Sequence, residues 1–177
     1  GLGDVYKRQI IDSAFDKIAK SDTDAVMIIG DVTNDGEKIS HIEFKEKLEN
    51  LAKHKPVYII TSTHDWCCDE NPRRFQGNIV THNVETMKSN ELRDFYYDFG
   101  PKQAISEYIT HIGTTSYVIE LNEKVRLLAL NDDKNGNDHA GFTEEHFCWI
   151  EEQIKKAYED NCLITVSYTH LRAHETG

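Results

Sequence analysis

Cysteine pairs at the Cys-x-x-Cys spacing are absent from this sequence, and two of its four cysteines, Cys67 and Cys68, are adjacent. Zinc ribbons need such spaced pairs, and adjacent cysteines are a poor start for a disulfide framework. The cysteines are therefore typical of free thiols in a reducing compartment. Gly-x-Gly-x-x-Gly and P-loop segments are also absent. A nucleotide-binding domain of either kind is therefore unsupported.

Positive charge is scarce as well, because 20 Lys and Arg residues stand against 31 Asp and Glu residues, a net charge of -11. Proteins bind the nucleic-acid polyanion chiefly through Lys and Arg, so bulk nucleic-acid binding is not expected. A site in which metal cations supply the positive charge stays compatible with this balance. No apolar run approaches the roughly 20 residues of a membrane-spanning helix, so no membrane span is expected.

Both ends of the 177-residue chain lack helical and strand periodicity. Residues 1–9 and 167–177 resemble translated adapter sequence, so we expect them to be non-native tails. The second tail holds His170 and His174, whose i, i+4 spacing would otherwise suggest a metal pair on a helix. We therefore expect a partial domain over residues 10–166, flanked by the two tails.

Two apolar runs are each followed by polar residues suited to chemistry. Residues 25–30 end in a Gly-Asp pair at Asp31, and residues 56–61 are followed by His64 and Asp65. Short apolar runs bounded by turn signals predict buried strands, and a helix between them predicts a parallel pair. The carboxyl ends of such strands share the sheet edge where α/β proteins place ligand chemistry. The sequence therefore predicts that the three polar side chains come together.

The connecting helix is predicted over residues 40–54. Its apolar face is formed by Ile42, Phe44, Leu48, Leu51 and Ala52. Ser40 followed by Glu43 has the spacing of a capping box, which predicts that the helix begins at Ser40.

The remaining elements follow from the same periodicities. Helices are predicted at residues 10–20, from residue 91 with Asn90 as N-cap, and from residue 143. Strands are predicted at residues 116–121, 124–130 and 162–166. Residues 67–83 are predicted to be a long irregular surface connection. Within it, Arg73 and Arg74 are interpreted as a solvent-facing pair that balances Asp69 and Glu70, with phosphate binding as the alternative. This order indicates a mixed α/β protein, and periodicity alone also allows a doubly wound sheet.

A further acidic segment, Asn131-Asp132-Asp133, follows the predicted strand at residues 124–130. The loop after it, residues 134–138, is rich in Asp, Asn and Gly. Its oxygen-bearing residues lack the 1, 3, 5 and 12 spacing of an EF-hand, so a calcium loop is not expected.

The residues at the two strand ends resemble the motifs of calcineurin-like metallophosphoesterases. Residues 30–34, Gly-Asp-Val-Thr-Asn, match the family's Gly-Asp-x-x-Asp/Asn block, and His64-Asp65 match the second half of its Gly-Asn-His-Asp/Glu block. The family's Asp-x-His, lone His and Gly-His-x-His blocks are not visible. The resemblance spans about residues 10–164, and it implies a layered αββα fold that is incomplete in this chain.

The resemblance also implies a set of roles. Two divalent ions, Mn, Fe or Zn, would clamp the phosphate and activate a water, with Asp31 as the bridging carboxylate. His64 would act as general acid and Asp65 would orient it. Asn34 would steady the loop around the carboxylate. Thr63 stands where the family has a metal-binding Asn, and its hydroxyl is a weaker ligand than an Asn carbonyl.

The resemblance thus implies a metal-dependent phosphoester hydrolase acting on a small-molecule phosphomonoester or phosphodiester. We expect that activity of the complete protein, and we expect the 177-residue chain itself to be inactive. The alternative is a non-catalytic binding module of the same fold, in which Thr63 marks lost metal binding. Six other histidines are interpreted as surface or structural residues: His41, His54, His82, His111, His139 and His146.

Overall fold

The computed structural model describes residues 2–68, 70–133 and 140–169, with side chains from residue 9 onward. The α-helices are α1 (Leu2–Lys20), α2 (Lys38–Ala52), α3 (Ser89–Phe95) and α4 (Glu144–Glu159). The strands are β1 (Val26–Ile29), β2 (Val57–Ile60), β3 (Arg73–Gln76), β4 (Ile79–His82), β5 (Ser106–Ile109), β6 (Thr115–Asn122), β7 (Val125–Leu130) and β8 (Leu163–Tyr168). Short 3-10 helices lie at Thr63–Trp66, Tyr97–Phe99 and Pro101–Gln103.

The predicted parallel strand pair is confirmed. β1 and β2 pair in parallel, from Val26 opposite Val57 to Ile29 opposite Ile60, with α2 as the crossover. A second sheet has the order β5-β6-β7-β8, in which β7 and β8 are parallel and the other neighbours antiparallel. β3 and β4 form a separate antiparallel hairpin.

The two larger sheets are stacked between helices. Side chains alternate between the faces of a strand, so each strand can serve two cores. In β2, Val57 and Ile59 pack with α1, α2 and α3, whereas Tyr58 and Ile60 pack with the four-stranded sheet. The far face of that sheet is covered by α4 through Ile150. This layered α/β/β/α order confirms the predicted fold class and excludes a single doubly wound sheet.

Fully buried side chains join the first sheet to the helices. Leu48 of α2 and Leu92 of α3 are 0% and 1% exposed, and both belong to the core beneath β1 and β2. Burial of a Leu side chain stabilises the fold by roughly 1.5–3 kcal/mol. The β1–β2 sheet is therefore anchored to the helical layer.

The prediction that residues 67–83 are irregular is wrong. They contain the β3–β4 hairpin, whose turn includes Gly77 at φ +65°. Each strand is only four residues long, and Arg73 and Arg74 interrupt any apolar pattern. Hydrophobic periodicity is too weak a signal for a strand of this kind.

The predicted starts of α2 and α3 are also wrong. α2 begins before Ser40, with Glu37 as its N-cap, because backbone pairing of Glu37 with Thr86 fixes that end. Asn90 lies inside α3. The residue before the helix is Lys88, whose backbone N–H donates to the Glu91 carboxylate at 2.8 Å. A tertiary contact thus displaced the start of α2, and a local capping bond one residue before α3 displaced the start of that helix.

Other bounds differ from expectation at the chain's periphery. α1 begins at Leu2 instead of residue 10, β5 was not predicted, and β8 continues to Tyr168. That residues 1–9 and 167–177 are non-native stays a prediction. None of the four cysteines forms a disulfide, and none of the described helices is long and apolar enough to cross a membrane.

Candidate functional site

The turn after β1 has an unusual backbone. Gly30 and Asp31 both adopt a left-handed conformation, with φ of +52° at each residue. A Cβ on Gly30 would lie 2.5 Å from the Ser62 Cβ, so this position requires glycine. Asp31 is a non-glycine residue in the same region, which stores local strain of the kind found at functional sites.

Of the three polar side chains predicted to come together, Asp31 and His64 do so, whereas Asp65 faces the interior. His64 lies in the 3-10 helix Thr63–Trp66, directly after β2, and its Nδ1 is 3.2 Å from Oδ1 of Asp31. The two side chains are 47% and 57% exposed. An exposed carboxylate and imidazole are therefore presented together at the carboxyl edge of the β1–β2 sheet.

Asp65 faces the protein interior and is 0% exposed. Its Oδ1 accepts from the Thr33 backbone N–H at 3.0 Å, and its Oδ2 accepts from the Ser62 backbone N–H at 2.9 Å. Burial raises the pKa of Asp65 to about 7, whereas these N–H bonds lower it. Asp65 thus braces the turn that carries His64, and the carboxylate beside the His64 ring is that of Asp31.

Asn34 and its neighbour Asp35 connect the loop after β1 to the β3–β4 hairpin. The exposed Asn34 donates from Nδ2 to Oδ1 of Asp35 at 2.8 Å. The buried Asp35 carboxylate accepts from the Arg73 backbone N–H at 3.0 Å and from its Nε at 2.8 Å. The interpretation of Arg73 as a solvent-facing residue is therefore wrong. The neighbouring Arg74 places its Nη2 3.8 Å from Oε1 of Glu43.

The described residues do not fit a complete metal centre. Nowhere in 2–68, 70–133 and 140–169 do three or more His, Cys, Asp or Glu side chains form a group able to hold an ion. Asp31 and His64 contact each other, and the neighbouring Thr63 offers only a weak hydroxyl ligand. His170 and His174 lie outside the described residues. The two-metal prediction for the complete protein therefore needs ligands beyond this set.

Of the six histidines assigned to the surface or structure, His139 lies outside the described residues, and two of the other five are buried. His41 of α2 is 0% exposed and His146 of α4 is 2% exposed. His41 precedes Phe44, Leu48 and Leu51 by three, seven and ten residues, which is the spacing of one helical face. That spacing could have shown that His41 faces the core beneath the site.

The acidic segment after β7 is buried next to the same edge. Asn131 donates from Nδ2 to the Thr61 carbonyl at 2.6 Å, and its Oδ1 accepts from the Asp133 backbone N–H at 2.9 Å. Trp66 Nε1 donates to Asp133 Oδ2 at 3.1 Å. Burial raises the pKa of Asp133 to about 6. This segment therefore supports the turn of His64 from the second sheet.

The four-layer fold, with aspartate and histidine at the ends of two parallel strands, is that of a phosphoesterase-type α/β protein. The chain belongs to the calcineurin-like phosphoesterase family, whose family model matches residues 2–175. Members of this family generally use divalent metal ions. The chain is 27% identical over 154 residues to the "Probable glycerophosphodiester phosphodiesterase GpdQ" of Arcobacter nitrofigilis. The match covers 86% of this chain and 44% of that relative.

Proposed function

We propose that this chain carries part of the active site of a metal-dependent phosphoester hydrolase. The observation that supports it best is the exposed pair of Asp31 and His64, 3.2 Å apart at the ends of two parallel strands. Family membership makes phosphoester hydrolysis the chemistry to which this pair is assigned. Because function depends on the site rather than on the fold, the proposed activity is assigned to Asp31 and His64.

The role proposed for His64 is to protonate the leaving oxygen of the phosphoester. An imidazole positioned as a general acid typically raises the rate of such a reaction by roughly 10²–10⁴-fold. Asp31 orients the ring through Nδ1, which leaves Nε2 as the nitrogen that can donate toward a substrate. The bound Mn, Fe or Zn ions expected in the complete protein require ligands in addition to Asp31.

Phosphodiesters are the first substrates to test. The relative in Arcobacter nitrofigilis is named as a glycerophosphodiester phosphodiesterase, and the chain spans 44% of its length. A phosphomonoester is the second candidate, since His64 could protonate the leaving oxygen of a phosphomonoester as well as that of a phosphodiester. The substrate class of the whole protein is part of this proposal.

The test compares the 177-residue chain with a longer chain encoded by the same source gene. Both are assayed with bis(p-nitrophenyl) phosphate and p-nitrophenyl phosphate in Mn²⁺ or Zn²⁺. We expect the longer chain to hydrolyse at least one substrate, to lose activity with EDTA, and to lose at least about 100-fold in His64→Ala. His54→Ala, at an exposed position beyond the end of α2, is the matched control.

We expect the 177-residue chain to show no turnover, because its described residues do not complete a metal centre. Robust metal-dependent turnover by this chain, abolished in Asp31→Ala, would contradict that expectation. The alternative function is a non-catalytic binding module, which Thr63 at the position of a metal-binding Asn favours. A longer chain that folds but binds no Mn²⁺ or Zn²⁺ in calorimetry would support the module instead.

A further inference from the structure

His41 makes two short hydrogen bonds beneath the candidate site. Its Nδ1 lies 2.7 Å from the Tyr96 hydroxyl, and its Nε2 lies 2.7 Å from the backbone carbonyl oxygen of Asp65. The side chain is 0% exposed and comes from α2, whereas Tyr96 directly follows α3. One imidazole therefore joins two helices to the turn that carries His64.

The chemistry of the partners determines which nitrogen carries the proton. A carbonyl oxygen only accepts, so Nε2 of His41 must donate, and Nδ1 of the neutral ring then accepts from the Tyr96 hydroxyl. Burial lowers the pKa of His41, which favours the neutral ring. Burial also raises the pKa of Tyr96, so its hydroxyl keeps its proton. The contacts thus define one tautomer and one direction of donation.

The Asp65 carbonyl completes the bonding of the His64 turn. The Ser62 carbonyl accepts from the Asp65 backbone N–H at 2.9 Å, and the His64 carbonyl lies 3.2 Å from the Thr33 hydroxyl. The Asp65 carboxylate accepts from two further backbone N–H groups. His41 binds the turn from the helical layer, one residue after His64.

We propose that His41 is a positioning residue for His64, and that its Nε2–H bond to the Asp65 carbonyl sets the orientation in which the turn presents His64 to Asp31. The proposal rests on the proposed function only in taking Asp31 and His64 as the reactive pair. The geometric claim itself concerns the side chain of His64. It can therefore be tested without turnover.

Two substitutions separate the bond from the packing. His41→Gln places an amide N–H near the position of Nε2, so it retains a donor to Asp65. His41→Asn is shorter, reaches only the position of Nδ1, and loses that donor. Both remove a buried imidazole, so a role limited to packing predicts similar behaviour of the two variants.

The readout is the imidazole nitrogen and proton NMR signal of His64 in the full 177-residue chain. Asp31→Asn supplies the reference signal of His64 without its carboxylate partner, and His64→Ala supplies the assignment. We expect His41→Asn to move the His64 signal most of the way toward the Asp31→Asn position. We expect His41→Gln to leave it close to wild type. A His64 signal that stays at wild type in both folded variants, or that moves equally in both, overturns the proposal.

The wild-type spectrum gives a second test that needs no variant to fold. Nitrogen shifts distinguish a protonated from an unprotonated imidazole nitrogen, so they report the tautomer of His41 directly. A proton on Nε2 and none on Nδ1 is expected, and the reverse assignment overturns the proposal. Because neither test measures hydrolysis, an inactive longer chain would count against the proposed function and not against the role of His41.

Discussion

Acidic residues follow strands at two places in this molecule, after the β1–β2 pair and after β7, and their exposure differs between the two. At the ends of β1 and β2, Asp31 and His64 are 57% and 47% exposed and contact each other. At the end of β7, Asn131, Asp132 and Asp133 are 0%, 4% and 3% exposed. The local pattern of an apolar strand followed by Asp or Asn is common to both, so this pattern alone does not distinguish a reactive site from a structural one.

The difference comes from the backbone and from the neighbouring strand. The left-handed turn at Gly30 and Asp31 directs the aspartate to solvent. The segment after β7 instead continues beside β2, where Asn131 binds the Thr61 carbonyl and Asp133 accepts from Trp66. The buried segment after β7 therefore contacts the chain before and at the end of the turn that carries His64. The position of the exposed His64 depends on these contacts.

Removing the buried amide is the substitution expected to have the largest effect. Asn131→Ala leaves the Thr61 carbonyl and the Asp133 backbone N–H without their partner, and each buried orphan costs roughly 1–3 kcal/mol. We expect the free energy of unfolding to fall by about 4 kcal/mol in urea denaturation.

Asp31→Ala at the exposed end is the matched control for Asn131→Ala. The Asp31 side chain is mostly solvent-exposed, and alanine keeps a Cβ at φ +52° as aspartate does, so we expect the free energy of unfolding to change by only about 0.5 kcal/mol. Equal losses of stability in the two variants would contradict the distinction between a structural and a functional strand end.

The buried Asp133 carboxyl predicts a pH dependence of stability. Burial raises the pKa of Asp133 from 3.8 to about 6, so the folded state holds this proton at pH values where the unfolded state has lost it. The contribution of Asp133 to stability is then fully present below pH 3.8 and is lost as the pH rises toward about 6. The steepest part corresponds to about 1.4 kcal/mol per pH unit.

Asp133→Asn isolates this contribution from other titrating groups, because it keeps an oxygen for Trp66 Nε1 and cannot ionise. We expect the variant to gain stability relative to wild type between pH 4 and about 6, and the difference to become constant above that. A difference that is independent of pH across this window would show that Asp133 is ionised in the folded state.

The juxtaposition of Asp31 and His64 was predictable because it follows from topology. Two apolar runs joined by a helix give parallel strands, and parallel strands place their carboxyl ends at one edge. The direction of the Asp65 side chain was not predictable in this way. It depends on two backbone N–H groups. The bond from Ser62 follows the local Ser-x-x-Asp spacing of a capping box, whereas the bond from Thr33, in the loop after β1, depends on tertiary structure.

Other differences have identifiable physical causes. The β3–β4 hairpin escaped prediction because four-residue strands of mixed polarity carry no usable period. Its anchor, the bond between Asp35 and Arg73, joins residues far apart in the sequence. The burial of His41 was readable from its spacing to Leu48 and Leu51, whereas its partner at Asp65 was not.

Backbone strain at Asp31 gives the smallest expected effect and separates strain from chemistry. Asp31 has φ +52°, a region that disfavours residues with a Cβ by roughly 1–2 kcal/mol and that glycine adopts freely. Asp31→Gly should therefore be about 1 kcal/mol more stable than Asp31→Ala, as measured by urea denaturation. The same pair of substitutions at Glu49, an exposed position within α2, should show the opposite order, because glycine weakens a helix interior by about 1 kcal/mol.

In the longer chain both Asp31 variants should lose hydrolysis equally, since each removes the carboxylate. Equal stability of the two Asp31 variants would show that the turn is not strained, and unequal loss of hydrolysis would show that the backbone, and not the carboxylate alone, supports the site.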